Sequence, residues 1–115
     1  MSLYLCIFER DRELAGVEVG GYGDFDRLRQ HIAVELEAGR PGERFPVLML
    51  HSDCEGEWPV LDCARLGDEL AVIRAEMAAG GTLESFLDVD GEILIDQLAR
   101  LAKIALAARE PILFQ

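Results

Sequence analysis

Basic residues are scarce in this sequence of 115 residues, which has 11 lysines and arginines against 22 acidic residues and a net charge of −11. Nucleic-acid binding needs a basic surface that displaces counterions from phosphates. The deficit of positive charge therefore predicts that the protein binds neither nucleic acid nor an anionic membrane. The acidity would attract a basic protein partner, or it would serve solubility alone, and composition leaves both interpretations open.

Paired cysteines and long apolar runs are also missing. Cys6, Cys54 and Cys63 form no CxxC spacing, which predicts reduced thiols rather than a disulfide framework. No apolar run reaches the roughly 18–20 residues of a membrane-spanning helix. The first apolar run, SLYLCIF, has no basic segment before it and is typical of a strand, so we expect a cytoplasmic protein. The length and the 50% hydrophobic content predict one domain over residues 1–115.

The spacing of the apolar residues predicts an α+β fold with the element order β-β-α-β-α-α-β. We expect three helices packed against a three- or four-stranded mixed sheet. The last helix is apolar or alanine on almost all sides, which predicts a cover from another element or from a second copy in a homodimer. Strands are predicted at 2–8, 14–20, 47–52 and 112–115, and helices from Asp24 to about 38, from Pro59 to about 80 and over about 92–109.

The segment HSDCEGEW, residues 51–58, concentrates a histidine, a cysteine, three carboxylates and the only tryptophan. It follows a predicted strand and leads into a predicted helix, where sheet proteins commonly carry functional loops. The helix dipole explains part of the acidic cluster. Trp58 has two interpretations, an exposed interface anchor ringed by acids or a cap on the core.

A recognition surface is the function that we predict for this segment. We expect Asp53, Glu55, Glu57 and Trp58 to bind a protein partner. His51, Cys54 and Gly56 are predicted to shape the loop.

The alternative is a metal-binding or enzymatic protein that uses His51, Asp53 and Cys54. Structural zinc sites show two pairs of cysteine or histidine at short spacing, whereas this sequence has one cluster. Cys63 falls on the apolar face of a predicted helix, which favours a buried, inert thiol. A nucleophilic cysteine needs an electropositive setting, and Cys54 is flanked by acids. We therefore expect no metal, no cofactor and no catalytic residue.

The segment DVDG at residues 88–91 has the glycine spacing of a calcium-binding loop. The first and twelfth ligand positions would then be Phe86 and Gln97, where carboxylates are required, so the match fails. We instead predict Asp90 as the N-cap of the last helix.

Five stretches of the sequence resemble bacterial polymorphic-toxin immunity proteins, specifically the immunity protein 70 family: LYLCIF, GVEVGGYGDF, RFPVLMLHSDCEGEWP, FLDVDGE and PILFQ. The segment HSDCEGEW with a cysteine in the following helix is the most specific part. The sequence departs from the family in a short MAAGGTLES segment. The resemblance implies a cytoplasmic, non-enzymatic protein that neutralises a cognate toxin by stoichiometric binding, and it transfers no catalytic residue. A basic toxin such as a nuclease would suit the acidic surface.

Overall fold

The sheet is assembled from both ends of the chain, as shown by a computed structural model that describes residues 2–115. Strands β1 (Ser2–Glu9) and β2 (Arg12–Gly21) form a hairpin. Strand β4 (Ile112–Phe114) pairs with β1 on one side and with the two-residue strand β3 (Glu57–Trp58) on the other. The strand order is therefore β2-β1-β4-β3. The predicted α+β class with four strands is confirmed, but every pair is antiparallel, so the sheet is not mixed.

Three long helices pack against this sheet, as predicted, and their buried residues lie on one of its faces. They are α1 (Tyr22–Leu36), α3 (Val60–Ala79) and α4 (Leu94–Ala108), and a short helix, α2 (Pro46–Met49), lies between α1 and α3 in the sequence. A 3₁₀ turn, Leu83–Ser85, lies between α3 and α4 in the sequence. No helix within residues 2–115 is long and apolar enough to cross a membrane.

The core lies between the helices and the inner face of the sheet. From the strands it receives Leu3, Leu5, Ile7, Val17 and Val19, which alternate with residues that point to the opposite face. The helices contribute the residues at helical spacing that the sequence predicted, including Phe25, Leu28 and Ile32 of α1 and Cys63, Leu66, Leu70, Ile73 and Met77 of α3.

The apolar surface of α4 is covered by the same chain. This helix packs against α3 and against strands β1 and β2. Gly67 of α3 has no side chain, and a β-carbon added there would lie 4.0 Å from that of Ala102, so the two helices approach closely. The intramolecular alternative thus accounts for the composition of α4, and a homodimer is not needed to cover it.

The prediction of a strand at residues 47–52 is wrong. Pro46 begins helix α2 instead, and the buried Glu69 of α3 accepts the amide hydrogens of Val47 and Leu48 at N···O distances of 3.1 and 3.0 Å. These amides are free at a helix N-terminus, so a carboxylate from another helix stabilises the helical turn. Burial raises the pKa of Glu69.

The predicted starts of the first and last helices are also wrong. Helix α1 begins before Asp24, whose carboxylate accepts the amide hydrogen of Gly21 at 2.8 Å from inside the first turn. Helix α4 begins after Asp90, which lies in a turn. The buried carboxylate of Asp88 stabilises this turn, because it accepts the amide hydrogens of Asp90 and Glu92, each at 2.9 Å.

Candidate functional site

Residues 51–57, here called the acidic loop, connect α2 to β3 and are anchored by His51. The His51 ring stacks on Phe114 of β4 with 4.1 Å between ring centroids. Its Nδ1 lies 2.9 Å from the carbonyl oxygen of Ser52, and its Nε2 lies 2.8 Å from that of Glu57. The His51 ring therefore contacts both ends of the loop and strand β4, and its role in shaping the loop stays a prediction.

A tight turn inside the acidic loop brings its backbone back to the sheet. The Ser52 hydroxyl accepts the amide hydrogens of Cys54 and Glu55, each at 3.3 Å. Gly56 has a φ of +89°, in the region that favours glycine, and its carbonyl oxygen accepts the amide hydrogen of Phe114 at 2.9 Å. Cys54 is half-buried in this turn.

Arg29 of α1 holds the start of the loop, and no pattern in the sequence singled it out. Its guanidinium donates to the carbonyl oxygen of His51 at 2.6 Å and to that of Leu48 at 3.4 Å. It also forms an ion pair with Asp26 at 2.9 Å and lies 4.5 Å from the centre of the Phe25 ring. A planar guanidinium can make all of these contacts together, which a lysine cannot.

Replacing Arg29 by alanine should loosen the acidic loop without unfolding the protein, because two backbone carbonyls lose their donor. We expect the amide hydrogens of residues 52–57 to exchange about tenfold faster. Hydrogen exchange followed by mass spectrometry measures this. The control is Arg27→Ala, since Arg27 is exposed on the same helix, where it forms a 3.9 Å ion pair with Asp24 and lies 5.9 Å from the centre of the Phe86 ring. Equal protection of the loop in both variants would contradict the supporting role.

The carboxylates predicted to bind a partner are all at the surface. Glu55 and Glu57 are exposed and Asp53 is half-buried. The pKa of Asp53 is lowered, mainly by a hydrogen bond with the Asp26 carboxyl, then by Cys54, with a further contribution from the positive charge of Arg29. Asp53 is thus charged at neutral pH, and it lies beside the Asp26–Arg29 ion pair of α1.

Trp58 does not belong to this surface, so its interpretation as an exposed anchor is wrong. It is 1% exposed, and its indole ring lies edge-on to Phe25 and Phe114. The indole Nε1 donates to the carbonyl oxygen of Val47 at 3.1 Å. Pairing of β3 with β4 places Trp58 opposite the buried Ile112, on the inner face of the sheet. The tryptophan therefore caps the core.

Metal-ligand geometry is not found among residues 2–115, where no three side chains of histidine, cysteine, aspartate or glutamate form a group that could hold a metal ion. In the loop, both ring nitrogens of His51 face backbone carbonyl oxygens instead of a shared centre with Asp53 and Cys54. Cys63 is fully buried, and burial raises the pKa of its thiol to about 11. These contacts fit a structural loop better than a ligand set.

Comparison with known proteins matches this chain to a protein family. No curated protein and no solved structure was found to match the chain. The family model of immunity protein 70 matches residues 3–82. This range includes the hairpin, helices α1 to α3 and the whole acidic loop, which carries the most specific part of the resemblance seen in the sequence. The chain belongs to the immunity protein 70 family.

Proposed function

We propose that this protein neutralises a cognate bacterial toxin by stoichiometric, non-enzymatic binding in the cytoplasm, and that the acidic loop forms part of the toxin-binding surface. Membership of the immunity protein 70 family supports a toxin as the partner. The observation that carries the proposal of a binding surface is the fixed backbone of the loop, which presents Asp53, Glu55 and Glu57 outwards.

The anchoring of the loop supports binding because it reduces the conformational entropy that association removes. His51 holds the two ends of the loop, and Arg29 holds its first residue from below. A loop already ordered in the free protein loses less freedom when a partner binds. The carboxylates are therefore presented in a defined arrangement.

The charge of the loop supports a basic toxin, for which a nuclease is the expected type. The loop carries Asp53, Glu55 and Glu57, Asp53 lies close to Asp26, and the whole chain has a net charge of −11. Complementary charge raises the association rate and makes it sensitive to salt. Since Trp58 is buried, we assign the contact to the carboxylates and the support of the loop to Trp58, His51, Cys54 and Gly56.

The test is a calorimetric titration of the protein into the toxin domain encoded beside it, at low and at high salt. We expect one-to-one binding that weakens with salt. The variant Glu55→Lys/Glu57→Lys should bind at least about tenfold more weakly at low salt and should lose much of the salt dependence. Its matched control is Glu35→Lys/Glu84→Lys, which makes the same change of charge at exposed glutamates of α1 and of the 3₁₀ turn.

Two results of this titration would contradict different parts of the proposal, the first the binding itself and the second the role of the acidic loop. Absence of one-to-one binding by the unchanged protein would overturn the neutralisation by binding. Binding that both variants weaken equally would show that only overall charge matters, which would remove the acidic loop from the contact.

A further inference from the structure

We infer that the toxin contact extends from the acidic loop across the helix-free side of the sheet, and that this side binds a segment of the toxin rich in arginine or lysine. The inference rests on the proposed function and names the chemistry of the partner surface. It concerns the side chains of Tyr4, Cys6, Phe8, Glu13, Glu18 and Leu113, here called the outer face.

The register of the sheet brings these side chains together. Tyr4 lies opposite Glu18, Phe8 opposite Glu13, and Cys6 opposite Leu113. Residues directly opposite in a pair of strands point to the same face of a sheet. This face is opposite the one that Leu3, Leu5 and Ile7 present to the helices.

No helix covers the centre of the outer face in the part of the chain from residue 2 to residue 115. Tyr4, Phe8 and Leu113 are half-buried, and they do not pack against the hydrophobic core. Cys6 is fully buried beneath its neighbours on this face. An antiparallel sheet with one solvated face normally alternates apolar and polar residues. Strand β1 instead has aromatic side chains on the side without helices, which is unexplained by the fold alone.

The aromatic centre of the outer face is held in place by an acid. The Tyr4 hydroxyl donates to the Glu13 carboxylate at 2.7 Å. The Tyr4 ring lies across Gly16, where a β-carbon would come within 1.9 Å of the hydroxyl oxygen, so the absence of a side chain at Gly16 makes room for the ring. The hydrogen bond to Glu13, then burial and nearby negative charge, raises the pKa of Tyr4 to about 12, and the hydroxyl remains protonated at neutral pH.

The charges around this centre have one sign. Glu13 and Glu18 lie on the β2 side, and Glu57 lies on the β3 side, opposite Leu113. Among the described strand residues paired on this face there is no lysine or arginine. Aromatic rings flanked by carboxylates attract a guanidinium or an ammonium group by cation–π and charge-assisted contacts. A second copy of this chain would bring like charges together, so a basic partner fits better.

Glu57 makes the outer face continuous with the acidic loop. It is the last residue of the loop, and its side chain points to the same face as Leu113 and Cys6. A toxin that contacts Glu55 and Glu57 therefore has the outer face directly beside it. The two features form one surface, although they come from distant parts of the sequence.

Charge reversal on β2 tests the inference with the same toxin domain and the same titration. Glu13→Lys/Glu18→Lys should weaken binding at least about tenfold at low salt, whereas Glu35→Lys/Glu84→Lys should change it less than about threefold. Phe8→Ser, which keeps the charge, should weaken binding without changing its salt dependence, and Val34→Ser at an exposed position of α1 is its control. Circular dichroism of each variant establishes that it is folded.

A second measurement needs no variant. Backbone amide chemical shifts of β1, β2 and β4 in the labelled protein should change when unlabelled toxin domain is added, together with those of the acidic loop. Light scattering of the free protein should show a monomer.

Four results would overturn the inference. The first result is weaker binding in Glu55→Lys/Glu57→Lys but unchanged binding in Glu13→Lys/Glu18→Lys. The second is a set of chemical-shift changes confined to the acidic loop. Either result would exclude the outer face from the contact and would leave the proposed function unaffected. The third result is a dimer of the free protein that dissociates when Glu13 and Glu18 are replaced by lysine. It would show that the outer face binds a second copy of the chain. Absence of binding by the unchanged protein would overturn the proposed function and the inference together.

Discussion

Replacing Trp58 by alanine is expected to lower the free energy of unfolding by about 3–5 kcal/mol, the range for truncating a large buried aromatic residue. The indole lies between α1 and the sheet, with its centroid 6.5 Å from that of Phe25 and 4.7 Å from that of Phe114. Alanine would leave a cavity there and would also leave the carbonyl oxygen of Val47 without its donor. Urea unfolding followed by circular dichroism measures the change, since the variant has no tryptophan fluorescence.

The control is Trp58→Phe, which keeps an aromatic ring but not the indole N–H. It should cost about 1–3 kcal/mol, because the Val47 carbonyl oxygen becomes unsatisfied. Toxin affinity of folded Trp58→Phe should match that of the unchanged protein, since this side chain lies inside the core. A decrease of less than about 1 kcal/mol in the free energy of unfolding of Trp58→Ala would contradict the burial of this side chain. A large loss of affinity in folded Trp58→Phe would restore the tryptophan to the binding surface.

Replacing Glu37 by alanine is expected to lower the free energy of unfolding by about 2–4 kcal/mol, since three backbone donors, among them the buried amide of Phe45, lose a charged acceptor. Glu37 is 2% exposed at the end of α1. Its carboxylate accepts the amide hydrogens of Gly42, Arg44 and Phe45 at 3.1, 2.9 and 3.1 Å. One side chain thus satisfies three amides of the segment that leads into α2. Urea unfolding again provides the measurement.

Two further variants serve as controls for the loss of stability in Glu37→Ala. Glu35→Ala removes an exposed glutamate two positions earlier and should change stability by no more than about 0.5 kcal/mol. Glu37→Gln keeps one acceptor oxygen but places an amide group against N–H donors, so its loss should lie between those of the other two. Equal stability of Glu37→Ala and Glu35→Ala would show that the three amides find water as a replacement partner.

The long elements could be predicted because their signals are local. The apolar residues of α1 and α3 recur at helical spacing, and β1 and β2 alternate between faces, so neighbouring residues specify them. The prediction of a strand at residues 47–52 was wrong because the deciding signal is not local. The run VLML is apolar on both faces like a buried strand, but the carboxylate that stabilises its helical turn comes from Glu69, far along the sequence. Strand β3 has only two residues and depends entirely on pairing with β4.

The candidate site was predicted only in part. The position and charge of the acidic loop follow from the sequence, because the loop is contiguous. The burial of Trp58 depends on strand pairing, and the support from Arg29 depends on how α1 packs, so neither has a local signal. The outer face was not predicted, because apolar residues on both sides of β1 do not indicate which side the helices leave uncovered, and that depends on the whole topology.

The position of β4 between β1 and β3 has a consequence for the order of folding. Its partners include β1, and Cys6 and Leu113 are paired although they lie at nearly opposite ends of the 115-residue sequence. Such long-range pairing closes late, because the chain entropy of a large loop is lost before the contact forms. A ribosome that has not yet released residues 112–114 holds a hairpin and helices without the strand that joins β1 to β3. The four-stranded sheet therefore forms only after residues 112–114 have left the ribosome.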